Sequence, residues 1–65
     1  MNLTITVTIN GRNYSRHARN TAENRIAFIE EARRIWAGGG VDRVRVTTVR
    51  NRASQVEWDS AIDGK

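Results

Sequence analysis

The side chains able to do chemistry are few. Ser15 and His17 stand two apart in the stretch NYSRHAR, so an extended chain puts both on one face, the spacing of a weak nucleophile and its base. No third group is placed to orient the imidazole and no oxyanion donors are identifiable, which argues against acyl transfer. A metal centre is poorly supplied as well: the chain has no cysteine, His17 is the one histidine, and the seven carboxylates show no ligand spacing. Gly38-Gly39-Gly40 could cradle a phosphate, but a P-loop precedes its helix and carries a Lys-Ser/Thr pair, whereas this triplet follows a helical stretch without one. It reads as a helix terminator with one residue in the left-handed conformation. The expectation is a protein with no enzymatic activity, metal or cofactor.

Charge is the stronger signal. Ten arginines and one lysine stand against seven acids, a net charge of +4. That balance favours an acidic partner, either nucleic acid or an acidic protein or nucleoprotein surface. Arginine is suited to both, because its planar guanidinium pairs bidentately with phosphate or carboxylate. Arg12, Arg16, His17, Arg19 and Arg25 form the most one-signed region, interrupted only by Glu23; Arg43 and Arg45 form a second group, and Arg50 and Arg52 a third. These nine are the candidate partner-binding residues, with Arg12, Arg16 and Arg19 carrying the leading assignment. Each group has a plainer reading: charge that keeps an edge strand from pairing, a solvated ladder of Arg43 and Arg45 with Glu57 and Asp59, and exposed turn residues. The arginine content itself could reflect solubility or a GC-rich coding genome.

The elements that must position these groups follow from periodicity. In LTITVTI, Leu3, Ile5, Val7 and Ile9 fall on one face of a strand and Thr4, Thr6 and Thr8 on the other. Asn10-Gly11 then predicts a type I′ hairpin, pairing Ile9 with Arg12, Val7 with Tyr14, Ile5 with Arg16 and Leu3 with Ala18. Arg12 and Arg16 on the core-facing side make the second strand an edge, where their stems cover apolar surface and their heads reach water. The first strand is expected to be central.

Asn20 with Glu23 reads as an N-cap and capping-box partner for a helix over AENRIAFIEEARRIWA. Ala22, Ile26, Phe28, Ile29, Ala32, Ile35 and Trp36 occupy the half of its wheel that faces the sheet. Alternation resumes at Val41, with Val44, Val46 and Thr48 inward and Arg43, Arg45, Thr47 and Val49 outward. A turn at Asn51-Arg52-Ala53 leads to a last strand with Val56, Trp58 and Ile62 inward and Gln55, Glu57 and Asp59 outward. That three-residue loop sets Thr48 opposite Val56, Val46 opposite Trp58 and Arg45 opposite Asp59.

The architecture predicted is one α+β domain over residues 1–65: a ββαββ two-layer sandwich, with one helix packed on one face of a four-stranded, mainly antiparallel sheet. Its open face has no stacking aromatics, which counts against single-strand RNA recognition. With about eighteen candidate core side chains, burial and ordering nearly cancel in so short a chain. Homodimerisation or partner binding could supply the margin. No apolar run approaches the roughly 20 residues of a membrane span, and the start MNLT has neither region of a signal peptide. A cytoplasmic location is expected, with no membrane partner.

With AENRIAFIEEARRI followed by VDRVRVTTVRNRASQVEW, the chain resembles the small, cysteine-free proteins of phages and other mobile elements, and is similar in layout to certain anti-CRISPR proteins. The resemblance covers most of the chain and lies in layout and size rather than in a motif. It implies an inhibitor that binds a CRISPR effector complex through arginine-bearing strands and loops, blocking target-DNA access without chemistry. A de novo designed ββαββ protein matches the same proline-free sequence, Asn-Gly hairpin, capping pattern and glycine stop. The scarce lysine, inward-facing arginines and irregular second strand depart from design practice. A direct DNA- or RNA-binding module is the remaining alternative.

Overall fold

The computed structural model describes residues 2–50 and 52–64, with Arg50 described by its backbone alone. The elements run β1 (Asn2–Ile9), β2 (Arg12–Arg19), α1 (Ala22–Gly38), β3 (Arg43–Arg50), β4 (Ala53–Asp59) and a single turn, α2 (Ser60–Asp63). The strands form one antiparallel sheet in the order β2-β1-β3-β4, with α1 across one face. This is the ββαββ sandwich expected from the sequence, with β1 central and β2 at an edge.

The first hairpin follows from its turn. Asn10 and Gly11 both have positive φ, 51° and 78°, as a type I′ turn requires. The eight pairs run from Ile9↔Arg12 to Asn2↔Arg19 without interruption and include all four predicted from the turn. Leu3, Ile5 and Val7 therefore face α1, opposite Thr48, Val46 and Val44 of β3. The buried apolar core is Leu3, Ile5, Phe28, Ala32, Val44, Val46 and Trp58, with Val7, Ala18, Ile29, Ile35, Trp36 and Val41 partly buried around it. Ile26 and Ala22, expected inward from the helical wheel, are exposed, so the buried stripe of α1 begins at Phe28.

The helix start corrects the expected cap by one residue. Thr21, not Asn20, is the N-cap: it is extended (φ −116°, ψ 158°) and its hydroxyl accepts from the Asn24 amide at 3.1 Å. Asn24 is thereby the third helical residue, and its side chain donates to the Arg19 carbonyl at 2.9 Å, tying the helix to the end of β2. Asn20 instead accepts from the Arg25 guanidinium at 2.7 Å. At the other end two glycines, Gly39 and Gly40, take positive φ, where one was expected. Gly39 combines φ 73° with ψ −177°, a region open only to glycine, while its amide bonds the Trp36 carbonyl at 3.2 Å.

The second hairpin differs from expectation in a way that moves side chains between faces. Arg50 pairs with Ala53, so the loop is two residues long rather than three, and of the expected turn residues Asn51 lies outside the described residues. Thr48 consequently sits opposite Gln55, and Thr47 opposite Val56. A bulge between Val46 and Thr47 then inserts Glu57 as an extra residue and restores Val46↔Trp58 and Arg45↔Asp59 as predicted. Without it, a one-residue slip would turn Trp58 away from the core. Val56 is half-exposed on the open face, not inward, whereas Gln55 and Glu57 belong to the helix side, not the open face.

Arg52 takes φ 65°, a left-handed backbone that costs a residue with a Cβ about 1–2 kcal/mol. Glycine loses more freedom on folding, so Arg52→Gly should raise stability by a net of roughly 0.5–1 kcal/mol. For a domain of this size that is a rise of a few degrees in Tm, readable by circular dichroism.

After β4 the chain forms α2, which the sequence reading placed as inward-facing strand continuation. Asp59 caps it by accepting from the Ala61 amide at 3.0 Å, and Asp63 accepts from the Asp59 amide at 2.9 Å. Ser60 is buried and its hydroxyl accepts from the Val44 amide at 3.0 Å. Trp36 Nε1 donates to the Gly64 carbonyl at 3.1 Å. A Cβ at Gly64 would lie 2.6 Å from both the Ser60 carbonyl and Trp36 Nε1, so glycine is required there. Ile62 points out of the core and is exposed.

Candidate functional surface

The open face of the sheet is built by register alone. Its rows are Arg19–Asn2–Val49–Ser54, His17–Thr4–Thr47–Val56, Ser15–Thr6–Arg45–Asp59 and Asn13–Thr8–Arg43. The threonines of β1 are its spine. Thr4 Oγ1 lies 2.9 Å from His17 Nδ1, Thr6 Oγ1 lies 3.2 Å from Ser15 Oγ, and Thr8 Oγ1 donates to Asn13 Oδ1 at 2.8 Å. Each β1 hydroxyl is thus matched to a polar group on β2, and the Ser15 hydroxyl and the His17 imidazole each bond a threonine. The His17 ring is held by one nitrogen, leaving Nε2 directed away from that bond.

Charge is distributed unevenly between the two sides. Of the seven acids, Glu23, Glu30 and Glu31 lie on α1, Asp63 on α2, and Glu57 faces the helix side, where it accepts from the Thr48 hydroxyl at 3.1 Å. Asp42 sits before β3 and accepts from the Gly11 amide at 3.2 Å. Only Asp59 belongs to the open face by register, and its carboxylate is buried. Arg43 Nε donates to Asp59 Oδ1 at 3.0 Å while its Nη2 bonds Oδ2, a bidentate pair. That contact, with smaller help from the Ala61 amide and the nearby charges of Arg43 and Arg45, holds the Asp59 carboxyl below the usual carboxylate range against the opposing effect of burial. Arg43 is correspondingly pushed up by the same bonds. Of the expected solvated ladder in which Glu57 and Asp59 offset Arg43 and Arg45, the Arg43–Asp59 pair forms, with its carboxylate buried, while Glu57 lies on the helix side. Arg19 and Arg45 make no ion-pair contact among the described residues, although Arg45 stands opposite Asp59.

The nine candidate residues do not form one patch. His17, Arg19, Arg43 and Arg45 share the open face. Arg12 and Arg16 project to the helix side of β2, where Arg16 is ion-paired with Glu31 and lies over the Phe28 ring, 5.1 Å from its centroid. Arg25 is half-buried at the start of α1 and bonded to Asn20. Arg52 is exposed at the hairpin loop, and the Arg50 side chain lies outside the described residues. Tyr14, read as inward, is more than half exposed beside an open groove of about 170 Å³ lined by Ile5, Val7, Arg16, Glu31 and Ile35.

A second recess, of about 210 Å³ and polar, was not foreseen. Asn20, Arg25, Thr48, Gln55 and Glu57 line it, and the bulge is what brings Gln55 and Glu57 there. Among the described residues no cluster of three or more His, Asp or Glu side chains could hold a metal ion, and no helix is long and apolar enough to cross a membrane. No family model, curated protein or solved structure matches the chain.

Proposed function

We propose that the chain is a non-enzymatic binding protein that docks its open sheet face on a phosphate-bearing surface of a nucleoprotein complex and blocks nucleic-acid access to it. This is the mode of action implied by the resemblance to anti-CRISPR proteins. One observation carries the reading: every carboxylate is either on the helix side, outside the sheet or buried under Arg43, so the flat face presents Arg19, Arg43, Arg45 and His17 with no competing free acid. Threonine, serine and asparagine around them add hydroxyl and amide donors of the kind that contact phosphate oxygens without reading bases. The absence of an aromatic among the described residues of this face favours backbone contact over base stacking. A direct DNA- or RNA-binding module is the second reading, favoured by the same residues.

The two readings separate in fluorescence anisotropy. Free labelled duplex titrated with the protein at low salt should bind weakly, with a log–log salt slope of about −2 to −3 if two or three arginines meet phosphates. A complex-directed inhibitor should bind the intact CRISPR effector complex much more tightly than free duplex, whereas a nucleic-acid module should not distinguish them. In either case Arg19→Glu combined with Arg45→Glu should weaken binding at least tenfold, and Arg33→Glu with Arg34→Glu on α1 should change it less than threefold. The opposite ranking would move the contact surface to the helix side and sink the proposal.

A further inference from the structure

The two edges of the sheet are managed differently. The β4 edge is broken by the bulge at Val46/Thr47 and followed at once by α2. The β2 edge runs eight residues with continuous pairing, no bulge and no proline, and all of it but Ala18 is exposed. A long regular edge of that kind is a template for another strand. Its backbone polarity follows from the turn: the pair next to a two-residue loop, Ile9↔Arg12, is hydrogen-bonded, so by alternation Tyr14 and Arg16 bond β1 while Asn13, Ser15 and His17 direct their N–H and C=O groups outward. The Arg19 carbonyl obeys the same alternation, since it accepts from the Thr21 amide and the Asn24 side chain rather than from β1.

We infer that β2 pairs antiparallel with β2 of a second copy, with Ser15 on the two-fold axis, making a continuous eight-stranded sheet in a homodimer. The register is selected by charge. With Ser15 on the axis, Asn13, Ser15 and His17 pair among themselves, Arg16 stands opposite Tyr14 of the second copy, and Arg12 opposite Ala18. Moving the axis to Tyr14 sets Arg12 against Arg16, and moving it to Arg16 sets that arginine against itself, both destabilising. Arg16 is also already neutralised by Glu31, so the middle of the edge, Asn13 to Arg16, carries little net charge. In the selected register Tyr14 of each copy meets the other's Arg16 at the rim of the apolar groove under α1, an arginine–aromatic contact. Pairing over Arg12–Ala18, seven residues of each copy, gives the marginal core of one chain added burial, and it sets two open faces side by side.

The dimer stands on β2 alone, apart from what the open face binds. Sedimentation equilibrium over a micromolar concentration series should show monomer passing to dimer. Ser15→Pro should weaken dimerisation at least tenfold while the monomer still folds by circular dichroism, because proline is tolerated where the edge N–H points to solvent. The register is read by single cysteines introduced into this cysteine-free chain. Paired residues at the axis lie about 5.5 Å apart between Cα atoms, within disulfide reach. Ser15→Cys should therefore form a covalent dimer under a mild redox buffer, and Tyr14→Cys and Arg16→Cys should not cross-link. A monomer at every concentration overturns the dimer, and faster cross-linking at 14 or 16 than at 15 overturns the register. Loss of phosphate binding by Arg19→Glu/Arg45→Glu with dimerisation intact would separate this inference from the function proposed above.

Discussion

Trp58→Ala should lower the stability of the chain by about 3–5 kcal/mol. Trp58 is 5% exposed, stands opposite the fully buried Val46 and belongs to the core cluster with Leu3, Ile5, Phe28 and Ala32. Truncating a buried aromatic costs about 3–5 kcal/mol, in lost transfer energy and in the cavity left behind. A chain of this length has in total roughly 3–10 kcal/mol of stability, so the substitution removes a third to all of it. Urea unfolding followed by far-UV circular dichroism would show the midpoint collapse. Val56→Ala provides the internal comparison. If β4 ran in the register of a three-residue loop, Val56 would be a core residue and its truncation would cost well over 1 kcal/mol; with Val56 on the open face, the cost should stay near 0.5 kcal/mol. A Val56→Ala loss approaching that of Trp58→Ala would be incompatible with the bulged strand.

That comparison marks where sequence reasoning reached and where it stopped. The first hairpin was legible to the residue, because Asn10-Gly11 specifies both turn type and loop length, and the uninterrupted Leu3/Ile5/Val7 alternation leaves one register that buries it. The second hairpin has no such dipeptide. Its two-residue loop holds Arg52 in a glycine-like conformation, so loop length had no local signal, and the faces of Gln55, Val56 and Glu57 were inverted. Trp58 and Asp59 still came out right, since the bulge returns the strand to the pairing that buries the tryptophan. The N-cap error is of the same local kind: Asn20 and Thr21 are both competent caps, and the choice is made by tertiary bonds, Asn20 to Arg25 and Asn24 to the end of β2. Of the candidate surface, strand faces gave Arg43, Arg45 and His17 correctly. What sequence could not give was which arginines are neutralised, because Arg16 to Glu31 and Arg43 to Asp59 are contacts of 15 and 16 residues' separation.

Asp59→Asn should lower stability and strengthen polyanion binding at once, two effects of opposite sign from one atom pair. The carboxylate caps α2, and a cap of this type contributes about 1 kcal/mol, part of which the amide retains. It also bonds Arg43 in a buried position, which an amide satisfies with one oxygen rather than two. The pH dependence carries a definite sign. Because Arg43 holds the folded carboxyl below its unfolded value of about 3.9, the folded state binds its proton later than the unfolded one. The stabilisation is therefore fully present above the unfolded value, from about pH 5 upward, and is lost as pH falls through the folded value. Urea midpoints should fall less steeply from pH 7 into the acid range for Asp59→Asn than for the unsubstituted chain. At neutral pH the variant frees Arg43, so the open face carries three unopposed arginines instead of two, and affinity for labelled duplex at low salt should rise a few-fold with a steeper salt slope. A variant that loses stability without gaining affinity would mean that the open face does not contact phosphate, because the freed guanidinium lies on that face, on the strand beside the threonine spine.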